Sequence, residues 1–338
     1  MTHRFDSKIA RIRQGQYRPA DFMIADAKDG DMSGGILATG LDYQAGKVPQ
    51  RRSRQRFITH IGDIIRQDNV DIMLVSASNL ELLQEADAFA GTGVKPAIRA
   101  NDTTDCWGAI RHSGYRNTAS HPFRSASVKR QMAALTSGKG TELGLYSITF
   151  NNDLGFDMQS LDAFAEFRRD AAACGFKYFY EVFNPNIETG LTPDALGQFM
   201  NDAILRSLAG LTRAERPEFL KIVYNGPAAL EELASFDSEL VVGVLGGGAG
   251  TTRDTFELIW QAERYGARLA LFGRKINLAE DPLTLIGLMR DVVEQRVTPK
   301  DAVRAYHDKL SARGIVPARS LETDLTVTED VLKSAASV

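Results

Sequence analysis

A lysine inside an apolar segment is the residue of this 338-residue chain whose position most strongly suggests chemistry. Lys221 lies in Glu218-Phe-Leu-Lys-Ile-Val-Tyr-Asn-Gly226, where a parallel strand buried on both faces is expected. Burial favours the neutral form of an amine, and a neutral amine can attack a carbonyl group to form a Schiff base. The alternative is a lysine at a strand edge whose ammonium group reaches solvent. The strand alone leaves both interpretations open.

Two glycine-bearing segments at the next strand ends suggest an anion site. They are Leu245-Gly-Gly-Gly-Ala-Gly-Thr251 and Leu271-Phe-Gly-Arg-Lys-Ile-Asn277. Glycine lets backbone N–H groups approach an anion closely, and (β/α)8 barrels often bind phosphate between the loops after strands 7 and 8. A plain turn is the alternative for each segment. The predicted phosphate ligands are Gly247, Gly248, Gly273 and Arg274.

Two acidic residues are candidates for proton transfer. Asp26 is expected at the carboxyl end of the first strand, where it could orient Lys221 or shuttle a proton, or could open an Asx turn instead. Glu181 lies in an apolar strand among aromatic residues, where an isolated charge would be costly. Its expected partner is Lys221 or a buried arginine.

Short apolar runs alternate with longer amphipathic segments, which indicates βαβ units and a parallel sheet. The expected helices include 53–66, 79–89, 160–174, 193–208, 227–235, 252–265 and 283–294, followed by 299–313 and 328–334 in the tail. This order predicts a (β/α)8 barrel, with a doubly wound open sheet as the alternative. The eight expected strands are Phe22–Asp26, Asp71–Ser76, Pro96–Ala100, Leu143–Phe150, Tyr178–Phe183, Phe219–Tyr224, Leu240–Leu245 and Arg268–Gly273.

The remaining segments are interpreted as additions to one domain spanning residues 1–338. The barrel core covers about 20–295, preceded by a basic, weakly patterned extension and followed by appended helices in 296–338. Such additions typically cover a barrel end or mediate contacts between subunits, so a homo-oligomer is expected. A basic loop after strand 3 could close on a second anionic group or remain solvated. It contains Arg111, His112, Arg116, His121 and Arg124.

Composition excludes several classes of function. The 40 lysines and arginines nearly balance 43 aspartates and glutamates, so nucleic acid and anionic membranes are not expected partners. No apolar run reaches the ~20 residues of a membrane-spanning helix, and the first residues lack the apolar stretch of a signal peptide. The two cysteines, Cys106 and Cys174, form no zinc-binding pattern. A cytoplasmic protein without a metal is therefore predicted.

The segments from Lys221 onward resemble class I aldolases of the archaeal-type fructose-1,6-bisphosphate aldolase group, relatives of deoxyribose-phosphate aldolase. The strand-6 pattern Lys-Ile-Lys-Tyr-x-Gly of that family is similar to Lys221-Ile-Val-Tyr-Asn-Gly226. Its strand-7 glycine loop is similar to Gly246-Gly-Gly248, and its strand-8 Gly-Arg-Asn pattern to Gly273-Arg-Lys275. The resemblance implies that Lys221 forms the Schiff base of a lyase. It also implies that no cofactor is needed, because the iminium ion serves as the electron sink.

Weaker similarities extend the resemblance over about 20–295. Asp26 matches an aspartate at the end of strand 1, Arg99 and Asn101 resemble a Lys-x-Asn pattern, and Glu181 resembles the glutamate of a Val-Glu-x-x-Pro segment. These matches imply substrate-binding roles for Arg99 and Asn101.

Strand 4 departs from the family pattern. The family reads Gly-Tyr-Thr-Ile-Tyr, and this chain reads Leu145-Tyr-Ser-Ile-Thr149. Tyr146 is therefore a candidate proton-transfer residue, while Thr149 replaces a second tyrosine with that role. The expected function is aldol cleavage or formation on a phosphorylated ketose or related keto compound. The alternatives are a phosphosugar isomerase, epimerase or transferase, and a phosphosugar-binding protein without catalytic activity.

Overall fold

The computed structural model describes residues 3–107, 110–248 and 250–337, and at its centre is a closed barrel of eight parallel strands. Each strand pairs with its neighbours in chain order, and the last strand pairs with the first. The predicted (β/α)8 barrel is confirmed. An open doubly wound sheet would leave two edge strands, and the closed ring has none.

All eight predicted strands are present, with ends within a few residues of those expected. They are β1 (Met23–Lys28), β2 (Ile72–Val75), β3 (Lys95–Arg99), β4 (Leu143–Thr149), β5 (Lys177–Phe183), β6 (Leu220–Ile222), β7 (Val242–Leu245) and β8 (Leu269–Phe272). Two short antiparallel pairs lie outside the barrel, Leu41–Asp42 with Gln50–Arg51 and Asn101–Thr103 with Pro122–Arg124.

Helices surround the barrel and continue into both additions. They are α1 (Arg4–Arg13), α2 (Arg54–Gln67), α3 (Ala77–Glu85), α4 (Thr104–Trp107), α5 (Val128–Leu135), α6 (Leu154–Cys174), α7 (Pro193–Leu208), α8 (Pro227–Phe236), α9 (Thr252–Arg264), α10 (Arg274–Asn277), α11 (Pro282–Val293), α12 (Pro299–Ala312), α13 (Leu321–Asp324) and α14 (Asp330–Lys333). Short 3-10 turns occupy Pro19–Asp21, Gly30–Met32, Gly35–Thr39, Tyr115–Asn117 and Arg213–Glu215.

Helix α1 closes the amino end of the barrel, which the sequence patterns did not predict. Its buried Phe5, Ile9 and Ile12 join the core inside the barrel, and the Phe5 ring lies 5.8 Å from that of Phe219. Lys8 is buried on the same helix, so a charge interrupts the apolar stripe and weakens the pattern. Helix α5 was also missed, and the only side chain that it buries fully among its described residues is Val128.

Alternate residues of each strand face the barrel interior and the helical layer. The interior core contains Ala25 of β1, Leu145 of β4 and Phe179 of β5, whereas Ile24 belongs to the core between strands and helices. This alternation decides which polar side chains of a strand can meet at the centre of the barrel.

The tail beyond α11 packs along α9. Helix α12 packs against α9 and α11, Thr252 N donates a hydrogen bond to Asp324 Oδ1 at 2.8 Å, and Gln261 Nε2 donates to Leu332 O at 2.9 Å. In the described part of the chain, no helix is long and apolar enough to cross a bilayer. The homo-oligomer and the cytoplasmic location stay predictions.

Candidate active site

Three polar side chains form a row across the inner wall of the barrel. Lys221 of β6 pairs in register with Glu181 of β5, which pairs in turn with Ser147 of β4. Lys221 Nζ is in ion-pair contact with Glu181 Oε1, and Ser147 Oγ donates a hydrogen bond to Glu181 Oε2 at 2.5 Å. Successive side chains of a strand point to opposite faces. Ser147 and Glu181 lie two residues after Leu145 and Phe179, which belong to the interior core, so they also point inward.

Arg99, at the end of β3, ties this row to the end of β1. Its Nη1 donates to Ser147 Oγ at 3.0 Å, its Nη2 to Glu181 Oε2 at 3.4 Å, and its Nε to Asp29 Oδ2 at 2.5 Å. Burial acts to lower the pKa of Arg99, but the carboxylates of Asp29 and Glu181 outweigh it and raise the pKa well above its usual range. Burial acts to raise the pKa of Asp29, but Arg99 and Lys221 hold it below its usual range. Both groups are therefore charged at neutral pH.

The loops after β7 and β8 meet at one side of this cluster. Gly247 has φ +62°, in the left-handed region that favours glycine, and its carbonyl accepts a hydrogen bond from Arg274 Nη2 at 3.1 Å. Gly273 lies so close to β1 that an added Cβ would meet Ala27 O at 3.2 Å. The Arg274 side chain thus bridges the two loops that were predicted to bind phosphate.

A cavity of about 630 Å³ joins the lysine row to these loops. Its wall includes Lys221, Glu181, Gly247, Gly273 and Arg274. Small-molecule sites typically measure ~300–1,000 Å³, so a sugar phosphate would fit. The structure therefore brings five of the predicted site residues to one cavity. Gly248 is exposed and is absent from the described lining.

Asp26 does not reach this cluster, because it projects from the opposite face of β1 toward α2. Its Oδ1 lies 3.0 Å from Lys28 Nζ, and both side chains are fully buried. Burial raises the pKa of Asp26 to about 6, and burial together with the charge of Lys28 lowers the pKa of His60 on α2 to about 2. The acidic residue that the strand end delivers to the interior is Asp29, three positions later, which the sequence analysis did not single out.

Tyr146 also faces away from the cavity. Its ring lies 5.0 Å from that of Phe164 and 4.5 Å from that of Phe167, both on α6. Burial raises its pKa above the usual range. The residues on either side of it in β4, Leu145 and Ser147, face the barrel interior. The structure therefore places Tyr146 in the packing between strand and helix.

Asn101 is buried beside the row but is engaged with backbone. Its Nδ2 donates to Ser147 O at 2.8 Å, and its Oδ1 accepts from Ser147 N at 2.6 Å. The amide thus holds the end of β4 in place. Its predicted contact with substrate would require these two hydrogen bonds to break.

A second acidic residue that the sequence analysis missed borders the cavity. Asp105 follows the short strand after β3 and accepts hydrogen bonds from Ser120 Oγ at 2.7 Å and Thr149 Oγ1 at 3.1 Å. Thr149 is the residue that replaces the expected tyrosine. A contact between residues 105 and 149 depends on how a loop folds back over the barrel, and no local pattern indicates it.

The basic loop after strand 3 contributes one side chain to the cavity. Among its five predicted basic residues, Arg116 is the one in the described lining. Arg124 pairs with Asp170 at 3.1 Å on the outside of the barrel. The ring of His121 lies 4.6 Å from that of Phe156. A second anion site on this loop stays a prediction.

No family model matches this chain, and no curated protein matches it. Several solved structures match it. The crystal structure of an archaeal fructose 1,6-bisphosphate aldolase matches with a TM-score of 0.60 and 15% identity, covering 86% of this chain and 99% of that one. The chain has the fold of that enzyme.

Two further structures lead to the same conclusion. A Schiff-base-forming fructose-1,6-bisphosphate aldolase matches with a TM-score of 0.59 and 17% identity, over 86% of this chain and 99% of that one. Cgl0159 from Corynebacterium glutamicum matches with a TM-score of 0.56 and 16% identity, over 86% and 94%. The resemblance inferred from strands 6 to 8 is confirmed as a resemblance of fold, and at these identities it extends no further.

Proposed function

We propose that this chain is a class I aldolase that forms or cleaves a C–C bond in a phosphorylated ketose or related keto compound. The observation that carries the proposal is the position of Lys221. It faces inward, next to Glu181, in the same cavity as the two loops that Arg274 bridges. Schiff-base chemistry on a phosphorylated carbonyl compound requires three groups. They are a primary amine, a proton acceptor next to it, and an anion-binding site at the other end of the cavity.

Imine formation begins with a proton transfer from the Lys221 ammonium to a carboxylate, for which Glu181 is in contact. The neutral amine then attacks the substrate carbonyl carbon and forms a C–N bond. A second proton moves from the nitrogen to the former carbonyl oxygen, protonated Glu181 gives its proton to the same oxygen, and that oxygen leaves as water to give the iminium ion. Arg99 and Ser147 hold Glu181 at its Oε2 atom, which leaves Oε1 facing the lysine.

The iminium ion then accepts the electron pair of the C–C bond that breaks. Buried charges around it are fixed before the reaction, so they need little reorganisation. Asp29 and Arg99 form an ion pair near Lys221. We propose that this pair positions Glu181 and the substrate and takes no part in making or breaking bonds. We assign neither Asp26 nor Tyr146 a role in the reaction.

The phosphate group is proposed to lie between the loops after β7 and β8. Backbone N–H groups near Gly247 and Gly273 and the guanidinium group of Arg274 would bind its oxygens. Arg274 would then exchange its hydrogen bond to Gly247 O for contacts with phosphate. This places the reactive carbonyl toward Lys221.

A cleavage assay on a small set of ketoses tests the proposal. The set comprises fructose 1,6-bisphosphate, fructose 1-phosphate and unphosphorylated fructose, with release of dihydroxyacetone phosphate or dihydroxyacetone as the readout. We expect a phosphorylated ketose to be cleaved at least ~10²-fold more efficiently than fructose, because binding energy from phosphate contributes to the transition state. Equal rates with and without phosphate, or no cleavage of any member, would overturn the proposal.

A further inference from the structure

A carboxylate at the mouth of the lysine cavity has no role in imine formation as described above. Asp105 borders the cavity and accepts hydrogen bonds from two hydroxyl groups, Ser120 Oγ at 2.7 Å and Thr149 Oγ1 at 3.1 Å. In the described part of the chain, no lysine, arginine or histidine forms an ion pair with it. It is therefore a carboxylate oriented by neutral donors.

The other acidic residues of the cavity are held by cations. Glu181 contacts Lys221 and Arg99, and Asp29 contacts Arg99 at 2.5 Å. A carboxylate in an ion pair gives up Coulombic attraction when it takes a proton. Asp105 is held instead by two neutral hydroxyl groups, so no ion pair has to break when it exchanges a proton with a substrate.

The two hydroxyls are themselves fixed by the barrel. Thr149 ends β4, and Ser120 is tied to the same strand end through Asn151, whose Oδ1 accepts from Ser120 N and whose Nδ2 donates to Ser120 O, both at 3.1 Å. Asp105 also donates its backbone N–H to Ser120 Oγ at 3.4 Å. The Asp105 carboxylate is thereby held to a rigid strand, as a proton-transfer group requires.

We propose that Asp105 is the catalytic base and acid of the C–C bond step, with Thr149 and Ser120 as its positioning residues. This proposal rests on the proposed aldolase function. It assigns the proton-transfer role to a residue of the short helix α4 in a chain whose fourth strand carries Thr149 where a tyrosine was expected.

The substrate hydroxyl next to the breaking bond gives its proton to the Asp105 carboxylate. The oxygen lone pair forms the new carbonyl, the C–C bond breaks, and its electron pair moves into the iminium ion on Lys221 to give an enamine. In the direction of synthesis, protonated Asp105 returns the proton to the forming alkoxide. No oxidant, reductant or further reactant enters.

Asp105→Asn tests the proposal with two separate readouts. The first is turnover of the ketose most rapidly cleaved in the assay described above. The second is the yield of borohydride-reduced adduct with dihydroxyacetone phosphate, which needs the imine but no C–C cleavage. We expect turnover to fall at least ~10²-fold and adduct yield to stay within about twofold of the unmodified protein. Asp170→Asn, which removes an exposed carboxylate on α6, is the matched control and should change neither readout.

Turnover of Asp105→Asn within about threefold of the unmodified protein would overturn the proposal. Equal losses of turnover and adduct would overturn it as well, because Asp105 would then support the folded site as a whole. An unmodified protein that forms no adduct would instead contradict the aldolase function itself. The two failures are thus distinguishable.

Thr149→Val keeps the carboxylate and provides a second measurement if Asp105→Asn fails to fold. It removes one hydroxyl donor while preserving shape. The carboxylate is then oriented by one hydroxyl fewer, so turnover should fall by about tenfold while the yield of reduced adduct stays within about twofold. Unchanged turnover, or an equal loss of adduct, would contradict the assigned role.

Discussion

Both ends of the barrel bury clusters of charged side chains, and the two clusters differ in what surrounds them. At the amino end, Asp71 accepts from Arg4 Nε and Arg290 Nη2, both at 2.8 Å, and lies 2.9 Å from Lys8 Nζ. Its Oδ2 also accepts from Ile24 N at 2.8 Å. Burial acts to raise the pKa of Asp71, but the charges of the three cations outweigh it and lower the pKa.

At the carboxyl end, Glu181 has partners of the same kind, Lys221 and Arg99. The difference is that Lys221 and Glu181 border a cavity of about 630 Å³, whereas α1 closes the other end. A buried ion pair therefore does not identify a functional site by itself. The cavity beside Lys221 and Glu181 distinguishes the two clusters, and it lies at the end where such barrels have their active sites.

The largest difference between the two ends should appear with Lys221→Met. We expect turnover to fall by at least ~10³-fold, because the substitution removes the nucleophile. The thermal unfolding midpoint should not fall, because methionine fills a similar volume and Glu181 keeps Arg99 and Ser147 as partners, so no buried charge is left unpaired. Turnover and thermal unfolding of the same preparation measure both effects. A large loss of stability would show that the pair with Glu181 holds the fold, as Asp71 does.

Asp71→Asn should give the opposite result. The buried Lys8 and the partly buried Arg4 and Arg290 lose their shared carboxylate, so we expect the free energy of unfolding to fall by about 3–5 kcal/mol. Turnover per folded molecule should stay within about twofold. Urea unfolding followed by circular dichroism measures the first quantity. A stability within 1 kcal/mol of the unmodified protein would contradict the structural role of the amino-end cluster.

The contribution of Asp71 to the stability of the folded protein should depend on pH. Since the folded pKa of Asp71 lies below its unfolded value of ~3.9, its stabilisation is complete above that value and is lost as pH falls through the folded pKa. The unmodified protein should therefore lose stability relative to Asp71→Asn as pH falls below ~4. Parallel stability–pH curves for the two proteins would contradict this.

A smaller effect is expected for Arg274→Gln at the cavity end. Removing one charged donor to phosphate should raise KM for a phosphorylated ketose by about tenfold and leave kcat within about threefold. The unphosphorylated ketose should show no change. Arg304→Gln on the exposed side of α12 is the control. An equal rise in KM for both ketoses would contradict the phosphate role.

The smallest effect is expected for Asp26→Asn. This carboxylate pairs with Lys28 between β1 and α2, so turnover should stay within about twofold. Asp29→Asn should lower turnover more than Asp26→Asn does, because Arg99 loses one of its carboxylate partners and then positions Glu181 less well. Steady-state kinetics of the two variants side by side decide between the two strand-end carboxylates. A greater loss in Asp26→Asn would reverse the assignment.

The sequence predicted the eight strands and the residues of two of the loops, because apolar runs and glycines mark strand ends locally. It did not predict which side of a strand faces inward. A strand buried on both faces shows no polar alternation, so Asp26 and Tyr146 were equally compatible with either side. Lys221 and Glu181 were found because a charge inside an apolar run is unusual whichever way it points.

Long-range contacts account for the remaining gaps. Asp29 and Asp105 enter the site through turns that follow strands, and their partners are 70 and 44 residues away along the chain. Helix α1 escaped detection because Lys8 lies on its buried face, where Asp71 and the carbonyl of Phe22 accept its ammonium group. Contacts of this range have no signature in a single sequence.

The measurement that tests the central claim most directly is peptide mapping after borohydride reduction in the presence of dihydroxyacetone phosphate. Lys28 also borders the cavity, and burial lowers its pKa, so it is the rival nucleophile. We predict one adduct, on the peptide that contains Lys221, because Lys28 is held in its ion pair with Asp26. An adduct on Lys28, or none on Lys221, would contradict it.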